Sequence, residues 1–404
     1  MRILYLHQYF TTRSGVGGTR SYEFARRFAA RGHAVRMITA ARPGEPRRRK
    51  LDGIEVVGVR GGYADYMEGT KLAYPRRVLA FARFALMASV AAVRGPRPDV
   101  VYATSPPLTV GLPGLLARAR HRAPLVFEVR DLWPEGPIQM GALRNPLMVA
   151  GARKLERLLY RASSRVVALS PGMRTGILAA GVPPEKVTLV PNASDLELFS
   201  PDQDGSEFRE RLGLGDRFVC SYFGAMGEAN DLTPVIEAGR LLKERGEDGV
   251  LFVLHGDGKR RPALERLARE SGADNVVFSD PVPDKSSVAR LAAASDACMT
   301  IYKNLPIFYT CSPNKLFDTF AAGRPAIVNT PGWLRELVER HEAGLYARPG
   351  DPTDLAEKVL YLRDHPDVAE RYGHNARRLA EREFSRDDLA ERALGVLEAA
   401  ARRA

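Results

Sequence analysis

The chain has 404 residues, 45% of them hydrophobic and 27% charged, with a formal net charge of +12. That length exceeds one compact core and fits two domains of ordinary size, and the globular composition excludes collagen-like, low-complexity and disordered classes. Cys220, Cys298 and Cys311 are too few and too scattered for a disulfide framework or a zinc site. They are expected to be reduced and buried.

The charge is uneven. Residues 1–195 hold 31 Lys+Arg against 13 Asp+Glu, whereas residues 196–404 hold 29 against 35. A first half of +18 suits phosphates, a lipid surface or nucleic acid, or simply serves solubility. Met1 to Phe10 lacks the apolar core and cleavage site of a secretory leader, which predicts a cytoplasmic protein.

In chain order, "RILYLH" predicts a strand, "SYEFARRFAARG" a helix and "AVRMIT" a second strand, with "DVVYAT", "LVFEVR" and "RVVALS" following. Strands alternating with helices are the pattern of parallel βαβ units. Between the first strand and helix, "SGVGGT" offers backbone NH groups at a helix N-terminus. Gly17 and Gly18 there either admit a phosphate or only make a tight turn. The spacing is not G-x-G-x-x-G, which disfavours a nicotinamide cofactor.

The segment Arg76 to Arg97 has an apolar core, Val78 to Val93, broken only by Arg83 and Ser89. It is shorter than the roughly 20 residues needed to span a bilayer. It reads either as a core helix or as one lying on an anionic lipid surface.

Near Pro191 the texture turns Pro/Asp/Gly/Ser-rich in "VPNASDLELFSPDQDGSEF", as in a domain junction. The strand pattern then restarts with "RFVCSYFGA", "GVLFVLHGDG", "DNVVFSD", "DACMTIY" and "PAIVNT". The expected architecture is α/β, two Rossmann-like doubly wound domains facing across a cleft, with ligands beyond the carboxyl ends of the strands. In "CSPNKLFDTFAAGRPAIVN", Ser312 is placed to cap a helix, Pro313 to open it and Gly323 to end it. Lys315 and Asp318 are three apart on that helix and suit a diphosphate and ribose hydroxyls, or form a surface ion pair.

Taken together, "GVGGTRSYEFARRFAARGHAV", "VFEVRDLWPE", "LSPGM", "LVPNASDLELFSP", "LHGDGKRRPALE", "NVVFSD" and "SPNKLFDTFAAGRPAIVN" resemble glycosyltransferase family 4, retaining enzymes of the GT-B fold. The flavour is that of the bacterial surface-polysaccharide and O-antigen branch, in family order over nearly the whole chain. The resemblance implies a nucleotide-sugar donor, a UDP-sugar before others, and an acceptor hydroxyl on a glycan, a lipid-linked saccharide or a small natural product. It implies no essential metal; a lipid-linked acceptor would bring peripheral inner-membrane contact through the basic half and the Val78–Val93 helix, and without a nucleic-acid motif or aromatics among the basic clusters no nucleic-acid partner is expected. It divides the chain into an acceptor-side domain, 1–195, a donor domain, 196–375, and a C-terminal helical segment, 376–404, that packs back on the first domain.

Residue by residue, the resemblance sets Gly17 and Gly18 against the donor diphosphate, with Arg20 adding charge. Gly256, Gly258 and Lys259 would line the nucleotide, and the Val282 backbone would read the base. Asn314, Lys315 and Asp318 would complete the donor site, Asp318 holding the ribose. Asp131, with Glu135 as the weaker choice, would serve the acceptor or the transferred sugar. Four positions depart from the family pattern: Thr310 stands where the first carboxylate of E-x7-E belongs, Ala225 and Asn230 where an Arg and a Lys usually hold the diphosphate, and Arg130 where a His is common. Lys315 is the expected replacement for the missing cations, with Arg130 or Arg20 available from the first domain. A nucleotide-sugar epimerase and a non-catalytic binding paralogue are the alternative functions.

Overall fold

The computed structural model describes residues 1–15, 17–63, 74–281 and 284–402. The first sheet contains β1 (Arg2–Leu6), β2 (Ala34–Ala40), β3 (Arg48–Leu51), β4 (Ile54–Val59), β5 (Val100–Thr104), β6 (Leu125–Val129), β7 (Arg165–Ala168) and β8 (Val187–Leu189). Their order is β3-β4-β2-β1-β5-β6-β7-β8, parallel except for β3, which pairs antiparallel with β4. β5 and β6 are buried along their whole length because helices cover both faces, which explains their unbroken apolar character.

The second sheet contains β9 (Phe218–Phe223), β10 (Val250–His255), β11 (Val276–Ser279), β12 (Ala297–Thr300), β13 (Ala326–Val328) and β14 (Gly344–Tyr346). All six are parallel, in the order β11-β10-β9-β12-β13-β14. This is the doubly wound order whose direction reverses between β9 and β12, so the binding crevice opens beyond the ends of those two strands. The matching reversal in the first sheet lies between β1 and β5.

The chain crosses between the domains twice, and the crossings are bonded to each other. Ser194 and Ser385 form a parallel bridge, with the Ser194 amide donating to the Phe384 carbonyl at 3.1 Å and the Arg386 amide to the Ser194 carbonyl at 3.0 Å. Helix Arg386–Ala401 then packs into the first core through Leu389, Leu394 and Leu397. The crossing comes later than position 376: helix Pro366–Glu383 stays on the second core through Ala376, Leu379 and Ala380.

All three cysteines are free and buried. Among the described residues, no helix is long and apolar enough to cross a membrane. Helix Tyr74–Val93 buries one side, Phe81, Phe84, Ala85 and Ala88, and exposes the other.

Candidate active site

The site is built from loops that leave the strand ends at the two reversal points. In the second domain, β9 ends at Tyr222 and Phe223, and the following Gly224 amide donates to the His255 carbonyl at 2.9 Å. The Met226 amide donates to Asp257 at 2.9 Å and the Arg260 amide to Met226 at 3.0 Å, so the loops after β9 and β10 lie backbone to backbone. Gly256 makes this approach possible. A Cβ there would stand 1.9 Å from the Gly224 oxygen, with φ at +149°. Gly258 meets the Met226 carbonyl in the same way, so both glycines are explained by loop packing before any ligand is considered. Lys259 is exposed at this rim.

Helix Asn314–Ala321 sits over the same strand ends. Leu316, Phe317 and Phe320 are fully buried in the second core, which fixes its rotation and aims Lys315 at the crevice. The Lys315 ammonium donates to the Tyr222 hydroxyl at 2.7 Å, and that hydroxyl donates to the Ala225 carbonyl at 2.6 Å. It lies 4.0 Å from the Tyr222 ring centroid and 5.6 Å from that of Tyr302, two residues beyond β12. Lys315 therefore stands at the reversal point, between β9 and β12. Among the described residues no carboxylate pairs with it, and burial pushes its pKa down to about 7.

The two positions expected to carry diphosphate-binding cations brace the loops instead. The Ala225 carbonyl holds Tyr222, and the Asn230 amide donates to the Ile301 carbonyl at 3.1 Å, joining the loops after β9 and β12. Thr310 is likewise used for closure, not charge. Its carbonyl accepts from the Ser170 hydroxyl, and a Cβ on Gly172 would meet it at 3.0 Å.

Asp318 does not present a free carboxylate. Oδ1 accepts from Ser194 Oγ at 2.9 Å and Oδ2 from Lys285 Nζ at 2.7 Å, leaving the residue 1% exposed. Three residues along a helix put Lys315 and Asp318 on one side, but the crossing segment intervenes and takes Asp318. Ser312 also departs from expectation: its hydroxyl accepts from the Asn192 amide at 3.1 Å, and the helix starts at Asn314 without a side-chain cap. Val282 lies outside the described residues, as does Val16 of the glycine turn.

In the first domain, Arg20 is withdrawn from the cleft. Nε and NH2 donate to Glu128 at 3.0 and 2.8 Å, and NH1 and NH2 reach the Pro191 and Val190 carbonyls at 2.5 and 3.0 Å. Glu128 also accepts from the Tyr102 and Thr104 hydroxyls at 2.5 and 2.6 Å. Burial alone would raise the Glu128 carboxyl, but Arg20 overrides it and holds it below its usual value. Arg20 thus ties the first sheet to the crossing segment and has no nitrogen left for a phosphate.

Arg130, the other first-domain cation expected near the diphosphate, stays beside the glycine turn. One guanidinium nitrogen donates to His7 Nε2 at 3.1 Å. Because a guanidinium only donates, His7 Nε2 accepts and its proton sits on Nδ1, facing Ser21 Oγ at 2.7 Å. Burial, then the Arg130 charge, lower the His7 pKa well below its usual value, so His7 is a neutral strut that orients Arg130. A Cβ on Gly18 would lie 3.4 Å from Arg130 NH2 and 3.2 Å from Asn314 Nδ2, so the glycine turn meets both domains at once. Gly17 precedes it with φ at +115°, which a glycine adopts without strain.

Asp131 opens onto the cleft, yet desolvation between the domains pushes its carboxyl up to about 6, against the opposing effect of Arg130. Burial raises the Cys311 thiol most; the Asp131 charge raises it further and that of Lys315 lowers it. Glu135 sits at the rim: it accepts from Gln139 at 3.0 Å and pairs with Arg153 at 3.5 Å, while Gln139 accepts from the Ile307 amide at 2.9 Å. Sequence reasoning missed Tyr222, Tyr302, Lys285 and Ser194, none of which carries a motif of its own.

Known proteins place this arrangement. A "Glycosyl transferase 4-like domain" model matches residues 15–193, and a "Glycosyl transferases group 1" model matches residues 217–365. The D-inositol 3-phosphate glycosyltransferase of Thermomonospora curvata is 28% identical over 399 residues, covering 94% of this chain and 90% of that protein. Sucrose-phosphate synthase from Thermosynechococcus elongatus superposes with a TM-score of 0.81 at 18% identity, over 100% of both chains. HepE of Anabaena, solved with UDP-glucose, superposes with a TM-score of 0.73 at 20% identity, covering 99% of this chain and 100% of that one. The two matched halves, the paired parallel sheets and the facing strand-end loops agree: the chain belongs to glycosyltransferase family 4, of the GT-B fold.

Proposed function

We propose that the protein transfers a sugar from a UDP-sugar to an acceptor hydroxyl with retention at the anomeric carbon. The carrying observation is Lys315, a half-buried cation at the reversal point of the second sheet with no carboxylate partner among the described residues. An unpaired ammonium drawn partly out of water is disfavoured, and a diphosphate would supply the missing counter-charge. HepE, of the same fold, holds UDP-glucose, which supports uracil as the base.

In this reading the bond from the anomeric carbon to the diphosphate oxygen breaks while the acceptor oxygen bonds on the same face. The acceptor proton passes to the departing phosphate oxygen, and no enzyme nucleophile is required. Lys315 from one domain and Arg130 from the other take up the charge that develops on the diphosphate. The Gly17–Gly18 turn adds backbone NH groups from the first domain. Asp131, ionised above about pH 6, holds a hydroxyl of the acceptor or of the transferred sugar. Charge on the leaving group is met by side chains, so transfer should persist in excess EDTA.

The test is incubation of the purified protein with a panel of nucleotide sugars, with proton NMR of the released sugar or product. Release of UDP with an α-linked product from an α-linked donor supports the reading. Inversion, or conversion of the donor to an isomer without an acceptor, contradicts it.

A further inference from the structure

Three helices, Tyr74–Val93, Gly111–His121 and Pro146–Ala162, form one layer on the first sheet. His121 Nε2 lies 3.0 Å from the Ala92 carbonyl, and a Cβ on Gly111 would strike the Leu159 side chain at 2.2 Å, so each helix abuts the next. Nine of the ten large apolar side chains exposed among the described residues belong to this layer.

The pattern is ordered. On the first helix, Arg76, Leu79, Arg83, Leu86, Val90 and the following Arg94 recur at helical spacing on the exposed side, with Leu86 60% exposed. On the second, Leu112 and Leu116 are outward with Arg118 and Arg120 beside them. On the third, Leu147, at 82% exposed, and Leu158 share a side with Lys154 and Arg161. The three helices carry nine Lys/Arg and a single acid, Glu156. Of the nine, only Arg153 pairs with a described carboxylate, Glu135.

Apolar side chains interleaved with unpaired cations fit the headgroup layer of an anionic bilayer, where leucines enter the acyl boundary and arginines meet lipid phosphates. A second copy of the chain does not fit, because two such faces would bring like charges together. From this geometry we infer that the three-helix face docks the protein on an anionic membrane. The layer also reaches the cleft: Phe81 packs edge-on to Trp133 at 6.3 Å, and the Arg153–Glu135 pair joins the third helix to the rim. Docking there sets the cleft mouth beside the lipid surface, which selects a lipid-linked acceptor; this last step rests on the transferase reading.

The experiment is co-sedimentation of the full chain with phosphatidylcholine vesicles, with and without about 30% phosphatidylglycerol, scored beside a UDP thermal shift. The expected result is at least ~10-fold stronger partition onto anionic vesicles, loosened by salt. The triple variant Leu86→Glu, Leu116→Glu, Leu158→Glu should abolish it while keeping the UDP shift. Arg83→Glu with Arg157→Glu should weaken it by roughly fivefold or more per lost charge. Protein that shows the UDP shift but stays in solution with anionic vesicles overturns the docking inference and leaves the transferase reading standing. Vesicle binding without turnover of any nucleotide sugar does the reverse. A concentration-dependent dimer that the triple variant abolishes would give the face to a second copy and also overturn docking.

Discussion

The Lys315 ammonium lies over the Tyr222 ring, 4.0 Å from its centroid, and donates to its hydroxyl at 2.7 Å. This pair puts a positive charge at the point where the second sheet reverses direction, from a helix rather than from the loop after β9. Removing it should impair the chemical step. Lys315→Met is expected to lower kcat by about 100-fold, the usual scale for losing one preorganised charge-stabilising group. Lys315→Arg should retain part of the rate. Steady-state kinetics at saturating donor would show this, and an unchanged kcat in Lys315→Met would dismiss the role.

Two perturbed groups set a pH window. Asp131, pushed up to about 6 by desolvation, must lose its proton to accept a hydroxyl hydrogen. Lys315, pushed down to about 7 by burial, must keep its proton to meet the diphosphate. In the free protein kcat/KM should therefore rise through pH 6, fall above pH 7 and be narrow. Bound donor favours the charged amine, so the alkaline limb of kcat should move upward. Lys315→Arg should erase that limb, since arginine stays protonated; a limb that survives unchanged would place the titration elsewhere.

Closure of the two domains depends on the lack of a side chain at Gly18. With Asn314 Nδ2 3.2 Å and Arg130 NH2 3.4 Å from the would-be Cβ, Gly18→Val must displace one wall. The expected outcome is a fall in kcat/KM of at least ~10-fold with the fold retained, since small misplacements of a site are costly to rate. Adding Asn314→Ala should restore part of it, by opening the same space from the other side. Equal losses in the single and double variants would mean the clash is not the cause.

Arg20 and Glu128 are a stability pair. Arg20→Ala leaves the Glu128 carboxylate buried beside Tyr102 and Thr104 without its cation. Breaking a buried pair from one side costs about 3–5 kcal/mol, which lowers Tm by on the order of 10 °C for a domain of this size. The surviving folded protein should keep its affinity for UDP. A large loss of UDP affinity without a fall in Tm would return Arg20 to the phosphate site.

The strands and the two-domain order were legible because parallel strands buried on both faces leave unbroken apolar runs, as in β5 and β6. Lys315 was legible for a similar reason: Leu316, Phe317 and Phe320 face the core, and that leaves one direction for their neighbour. Asp318 was not. Helical spacing shows which residues share a side, but Ser194 and Lys285, which take its carboxylate, come from distant segments. Arg20 misled in the same way, because its partner Glu128 is 108 positions away and reads locally as a strand-end acid. The helix Tyr74–Val93 stayed ambiguous for a different cause. Its apolar residues run right round it, and only its packed side, Phe81, Phe84 and Ala88, shows that the leucines opposite are surplus to the core.

The most direct measurement is calorimetric binding of UDP and of uridine to the wild-type chain and to Lys315→Ala. Only UDP carries the diphosphate, so the ratio of the two affinities isolates the charge contact from base and ribose recognition. The assignment of Lys315 predicts that the variant binds UDP at least ~10-fold more weakly while uridine is unaffected, on the scale of one charge-assisted hydrogen bond. A variant that binds UDP as tightly as the wild type would contradict it.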